Sequence, residues 1–260
     1  MMLGGMLTCA DHGYRLIVEL VDTHSDHIAR ELMGAIAALQ PDGVILTPPH
    51  SDNPQITDLL EAQGISFARI GSPKPGPGFA VAMDDAGAAR LATEHLLALG
   101  HRRIGFIAGP PDYELSGWRI DGWQAAMAAA GLETESLLLR GDFGYASGRE
   151  AATGLLASAD PPTAIIASND QMALATMEVA RERGLAVPDA LSVVSFDDTP
   201  IVRFVRPPLT AIVQPIADMT ARAVELVIAE KAGRPTSPDP VIFSATLVVR
   251  GSTGRPGDRR

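Results

Sequence analysis

The sequence holds a single cysteine, Cys9, in 260 residues, which excludes an internal disulfide and any cysteine-based metal site. Aromatic residues are scarce, at 5%, so Ala, Leu, Val and Ile carry the apolar mass, as in α/β proteins with parallel sheets. No stretch approaches the ~20 apolar residues of a membrane-spanning helix. The first residues, MMLGGMLTCADHGYR, lack a basic start followed by a long apolar run, so no signal peptide is read there. A cytoplasmic protein with no membrane partner is expected. Positive charge is also in deficit: the net charge is −10. A free-standing DNA-binding domain is normally basic, because neutralising phosphates drives its affinity. The acidic balance fits a binder of small molecules, and a role in solubility alone accounts for it as well.

The signatures of catalysis are missing too. Gly144–Gly148 reads GYASG, which is not the G-x-S-x-G nucleophile elbow. The loop Gly71–Gly78 lacks the terminal Gly-Lys-Ser/Thr of a phosphate loop, and no G-x-G-x-x-G opens a helix after a strand. The acidic pairs Asp84–Asp85 and Asp197–Asp198 adjoin helix starts or loops and demand no acid–base dyad. His24 and His27, with Asp22 and Asp26, lie at a turn into a helix, where Ser25 and Asp26 serve as caps rather than metal ligands. The chain is therefore read as a non-enzyme with no cofactor and no metal.

What is present is a regular alternation. Apolar runs at Leu16–Leu20, Val44–Thr47, Phe67–Ile70, Ile104–Ala108, Leu137–Leu139, Ala164–Ala167 and Val193–Phe196 predict strands. Stretches of helical period at Asp26–Leu39, Pro54–Gln63, Asp85–Leu99, Arg119–Ala130, Ala146–Ala157, Gln171–Arg183 and Ala217–Lys231 follow them. Such alternation argues for parallel sheets built from βαβ units. Ser72–Gly78 is a Pro/Gly loop, followed by an extended segment at Phe79–Met83. Pro207 and Pro208 exclude helix before LTAIVQP, and a final strand is expected over Val241–Val249. Residues after Gly251 read as a loose tail.

Three stretches go further: LATEHLLALGHRRIGFIAGP at Leu91–Pro110, PTAIIASNDQMALATMEVARERGLAVPDALSVVSFDD at Pro162–Asp198, and PPLTAIVQP at Pro207–Pro215. In this order and spacing they resemble the effector-binding core of LacI/GalR-family transcription regulators, over about Met6 to Arg250. The resemblance implies a type I periplasmic-binding-protein-like α/β fold. It has two lobes, each a parallel sheet flanked by helices, with a cleft between them. One lobe would take residues 1–100 with 212–238, and the other 101–211 with 239–260. The chain would cross near Gly100–Arg103, Thr210–Val213 and Pro238–Pro240. Two family features have no counterpart in the sequence: the helix-turn-helix head with its hinge helix, and the first core strand. The chain starts inside the first helix, at Met1–Asp11.

Ligands of open α/β sheets bind beyond the carboxyl ends of the strands. Asn169, Asp197, Arg119 and Phe143 stand at or shortly after four such ends. Together they offer an amide, a carboxylate, a guanidinium and a ring, a set suited to a polyhydroxylated or heterocyclic ligand. The resemblance assigns the same four to effector contact, with Arg119 in its RxxGW pattern (RIDGW), and adds Thr47 and Ile216 across the cleft. Gly71 stands where many sugar-responsive members carry an acidic residue. Each residue also has a plainer reading: Asn169 as a helix cap, Asp197 in a turn, Arg119 in a surface ion pair, Phe143 in the core. Asp198 reads as structural, and Gln214 as a partner for backbone.

The function implied is the effector-binding and dimerising domain of a regulator that senses a sugar, nucleoside or related small molecule. A homodimer is expected, with operator DNA reached only through a helix-turn-helix absent from this chain. The alternative on the same fold is the solute-binding protein of a sugar transporter. The missing signal peptide and the LGHRRIGFI motif stand against it.

Overall fold

In the computed structural model, residues 2–21 and 27–257 are described. The chain opens with helices α1 (Met2–Asp11) and α2 (Ile28–Leu39), then β1 (Val44–Leu46), α3 (Pro54–Ala62), β2 (Phe67–Ile70) and β3 (Phe79–Met83). Next come α4 (Asp85–Ala98), β4 (Ile104–Ala108), α5 (Glu114–Ala129), β5 (Leu138–Arg140), α6 (Tyr145–Leu156) and β6 (Ala164–Ala167). The last elements are α7 (Asp170–Glu182), β7 (Ser192–Asp197), β8 (Thr210–Val213), α8 (Ile216–Lys231), β9 (Val241–Phe243) and β10 (Thr246–Val248).

Contacts divide the chain into two compact units. The first holds Met1–Asp84 and Pro215–Phe243, with a sheet of order β1-β2-β3-β9, parallel throughout. The second holds Asp85–Gln214 and Ser244–Arg260, with a sheet of order β10-β8-β7-β6-β4-β5. Only its β10–β8 pair is antiparallel. The periplasmic-binding-protein-like α/β class expected from the alternation is present. The fully buried, β-branched runs at β4, β6 and β7 are what a sheet covered on both faces requires.

The boundaries differ from the expected ones. The first crossing falls at Asp84–Asp85, not at Gly100–Arg103, so α4 belongs to the second unit. The reason is its small-residue surface. Ala88, Ala89, Ala92 and Thr93 are all buried, while Leu91 is exposed. The α5 helix approaches so closely that a Cβ on Gly122 would stand 2.0 Å from the Ala86 carbonyl oxygen. The single strand expected over Val241–Val249 is two short strands, β9 in the first unit and β10 in the second. The α5 helix also starts at Glu114, a turn before the expected Arg119.

Two further expectations are corrected. Leu16–Leu20 is not a strand: Ile17, Val18 and Leu20 are 62%, 59% and 94% exposed, and no ladder includes them. The predicted loose tail is tied down as far as Gly257. Ser252 Oγ donates to the Val193 carbonyl at 2.6 Å and accepts from Thr210 N at 2.8 Å. Buried His101 contacts the Gly254 carbonyl (2.9 Å), Thr163 Oγ1 (2.8 Å) and Ser192 Oγ (3.1 Å), and burial pushes its pKa down. Among the described residues no helix is long and apolar enough to cross a membrane. The turn with His24, Asp22 and Asp26 lies outside the described residues.

Candidate functional site

The second unit gathers its polar residues where β4, β6 and β7 end. Arg119 comes from the second turn of α5 and is buried. Its Nε–H donates to Asp85 Oδ1 at 2.7 Å, at the first position of α4. Its Nη1–H donates to the Ser168 carbonyl at 2.7 Å, and the guanidinium lies 4.4 Å from the centroid of the Phe196 ring. A planar fork is suited to holding a carboxylate, a carbonyl and a ring face at once. The surface ion-pair reading is thereby excluded. Arg119 is therefore tied into the fold as well as into the site.

Asp197 ends β7 with φ of 100°, a conformation that L residues rarely adopt, and Asp198 follows at 57°. Its carboxylate accepts from Gln214 Nε2. Burial pushes its pKa up to about 6; Arg119 and the Gln214 hydrogen bond oppose the shift, and the neighbouring Asp170 carboxylate adds to it. Strain and a perturbed carboxyl at a strand end are features that cluster at functional sites. Asp198 is structural, as read: it pairs with Arg203 at 2.8 Å and with Arg250 at 2.6 Å.

Asn169 is the N-cap of α7, its Oδ1 accepting from Met172 N at 2.9 Å. Its Nδ2 donates to the Phe143 carbonyl at 2.7 Å. Phe143 needs such a tether, since its φ is 67°. The ring of Phe143 meets Tyr113 edge-on at 5.4 Å. Gly109 is required beneath it, because a Cβ there would fall 2.2 Å from Phe143 Cζ.

The structure thus brings Arg119, Asp197, Asn169 and Phe143 into one unit, around the ends of neighbouring strands. Thr47, just after β1, and Ile216, which opens α8, stand in the first unit. Thr47 lines a cavity of about 540 Å³ inside that unit. Gly71 is demanded by the backbone, with φ of 81° and Pro48 Cγ 2.8 Å from any Cβ.

Several site residues escaped the sequence reading. Asp170, not singled out in the sequence, is the first residue of α7. Its Oδ2 accepts from Thr199 N (2.7 Å) and Thr199 Oγ1 (2.6 Å), while its buried Oδ1 has no partner among the described residues. Ser116, Ser168 and Ser195 likewise have buried hydroxyl oxygens without partners. Such atoms are rare in folded proteins and mark places where water or a ligand completes the bonding. Asp85 and Asp170 gave a signal, as acids at helix starts after a strand. Ser116 and Ser195 gave none. Asp85 and Asp197 lie beside the Arg119 guanidinium, and the Asp170 carboxylate lies beside Asp197.

The model of the periplasmic binding protein-like domain matches residues 93–253. Among curated proteins, the transcriptional regulator CelR of Thermobifida fusca is 33% identical over 96% of this chain and 74% of its own. The transcriptional repressor CytR of Escherichia coli K12 is 30% identical over 95% of this chain and 72% of its own. Among solved structures, a CelR–cellobiose complex superposes with a TM-score of 0.88 at 33% identity, covering 96% of this chain and 77% of that one. A LacI-family regulatory protein from Chloroflexus aggregans gives 0.87 at 31% identity, covering 97% and 90%.

Proposed function

The chain belongs to the LacI family of transcriptional regulators, and from that premise we propose that its effector is an uncharged, polyhydroxylated small molecule, a sugar or nucleoside, held at the strand ends of the second unit. It is the effector-binding domain of a regulator rather than the solute receptor of a transporter. The observation that carries the proposal is Asp197: a partly buried carboxylate on a strained backbone, beside a fixed guanidinium. In its ionised form it accepts hydrogen bonds from neighbouring hydroxyls or amines. Phe143 supplies a ring face, and Asn169 holds that ring's backbone in place.

The Asp197 carboxylate, with Asp170 beside it, favours a neutral or cationic effector at this strand end and opposes a phosphorylated one. CelR has been solved with cellobiose, an uncharged sugar. Thr47 and Ile216 enter the proposal on the family resemblance. No catalytic role is assigned to any of these groups, since none forms a nucleophile–base pair. The effector acts on the regulator through its differential affinity for two states of the protein.

We extend the proposal to assembly as a homodimer. Leu3, Met6 and Leu7 lie on one face of α1 at helical spacing and are 68%, 55% and 58% exposed. An apolar stripe of this kind marks an interaction surface. Operator recognition is assigned to a helix-turn-helix outside these 260 residues, in keeping with the charge of −10.

A thermal-shift screen of neutral sugars, nucleosides and their phosphates tests the effector class. A ligand bound only by the native state raises the melting temperature. A neutral compound should do so and its phosphate ester should not; the reverse order overturns the assignment.

A further inference from the structure

Asp197 and Asp198 carry positive φ in succession, 100° and 57°, where β7 ends. L residues stay in that region only where surrounding contacts hold them. Asp198 is held by Arg203 at 2.8 Å and by Arg250 at 2.6 Å. Thr199, next along the turn, is held from α7. Asp170 Oδ2 accepts from Thr199 N at 2.7 Å and from Thr199 Oγ1 at 2.6 Å. The Asp170 main-chain amide also donates to the Asp197 carboxylate. Asp170 therefore grips the turn at both ends, by its backbone at Asp197 and by its side chain at Thr199.

Gripping does not require a charge. The N-cap of α7 is already Asn169, whose Oδ1 accepts from Met172 N at 2.9 Å. The Thr199 amide and hydroxyl need only an acceptor oxygen, which an asparagine side chain supplies as well. A carboxylate is also costly in this place. Asp170 is 2% exposed, and its buried Oδ1 has no partner among the described residues. Close to it is a second carboxylate, Asp197, which the Asp170 charge pushes towards protonation. From α5 the Arg119 guanidinium, itself paired with Asp85 of α4, opposes that push. From the residue after β8, Gln214 brings a neutral amide, and Asp198 is taken up by its two arginines.

Building on the reading of Asp197 as an acceptor for the effector, we propose that Asp170 is a positioning residue of that site: its side chain holds the turn that presents Asp197, and its negative charge acts on that carboxylate. Asp170 works through Asp197 and needs no contact with the effector. Protonating Asp197 removes an acceptor for hydroxyls, so the charge of Asp170 raises the pH at which the effector is released.

The test is a carbon-13 NMR titration of the Asp197 carboxyl carbon in the unliganded domain, the resonance assigned by its loss in Asp197→Asn. In the unaltered protein the midpoint should lie at about 6. Asp170→Asn keeps an acceptor for Thr199 and removes the charge. It should melt within about 2 °C of the unaltered protein and move the Asp197 midpoint to lower pH by roughly one unit. Asp170→Ala removes the grip as well, so it should melt lower and exchange the Thr199 amide faster than Asp170→Asn does. An Asp197 midpoint unmoved by Asp170→Asn overturns the proposal and leaves Asp170 as an acid favoured by the helix dipole alone. So does an Asp170→Asn protein that unfolds or melts like Asp170→Ala, since the grip would then depend on the charge. No effector is present in the titration. Its outcome is therefore separate from calorimetry of Asp197→Ala, which tests whether that carboxylate meets the effector at all.

Discussion

Arg119 on α5 and Asp85 at the start of α4 form a buried ion pair, Nε to Oδ1 at 2.7 Å, that joins the two helices on one side of the second unit's sheet. The same guanidinium reaches the Ser168 carbonyl and the Phe196 ring. One side chain thus fixes the geometry of the site and helps fix the fold around it.

Breaking this pair from either side takes a charge-assisted bond away from a buried partner. Arg119→Ala and Asp85→Ala should each lower stability by about 3–5 kcal/mol, read from urea unfolding of the purified domain. The double change Asp85→Leu with Arg119→Met should recover most of that loss, because apolar replacement of a buried pair is often neutral. A double variant as unstable as the singles would show that the pair is not the stabilising element.

Asp197 makes the domain sensitive to pH. Its folded-state pKa is about 6, above the ordinary carboxylate value, so the folded form binds more protons than the unfolded form between about pH 4 and 6. Its contribution to stability is present below pH 4 and is lost as pH rises through 6. Asp197→Asn should therefore stabilise the unliganded domain at pH 7.5, by on the order of 1–3 kcal/mol, and leave it unchanged at pH 4. Effector affinity should run the other way, weakening as pH falls below 6 and the carboxylate protonates. Melting curves and binding isotherms across pH 4–8 read both trends.

Asn169 separates two jobs in one amide. Asn169→Asp keeps the cap on α7 but loses the donor to the Phe143 carbonyl. Asn169→Ala loses both, and the missing cap alone costs about 1 kcal/mol. The Asp variant should keep nearly full stability while its effector affinity drops. The Ala variant should lose both. Equal stability in the two variants would remove the cap from the account.

The exposed stripe on α1 predicts a change of mass. Leu7→Lys should convert a dimer to a monomer in light scattering with little change in melting, since Leu7 is 58% exposed. A monomer before the substitution would contradict assembly through this face.

The fold class was legible because alternation survives in short buried runs: β2, β3, β4 and β6 fall on their predicted residues. Leu16–Leu20 has the same composition but no strand, because a strand forms only against a partner. The place of α4 was misread because alanine faces carry little hydrophobic contrast, and the close contact at Gly122 cannot be seen in a pattern. At the site, Arg119, Asp197, Asn169 and Phe143 were visible from their positions after strands. Their roles were not. That Asn169 holds Phe143, that Arg119 is committed to Asp85, and that Asp170 presents an unpartnered oxygen depend on distances between segments far apart in sequence. Exposed Glu133 serves as a neutral control, whereas Thr163, just before β6, bonds buried His101.

Titration calorimetry of Arg119→Lys, Asp197→Ala and Glu133→Ala with the neutral compound found in the thermal screen tests the central claim most directly. A charge-assisted hydrogen bond contributes ~1.5–3 kcal/mol, and each ~1.4 kcal/mol is tenfold in affinity. Arg119→Lys and Asp197→Ala should each weaken binding on the order of ten- to a hundredfold, while Glu133→Ala binds as the unaltered protein does. If both site variants bind with unaltered affinity while folded, the effector lies elsewhere and the assignment of these strand ends is wrong.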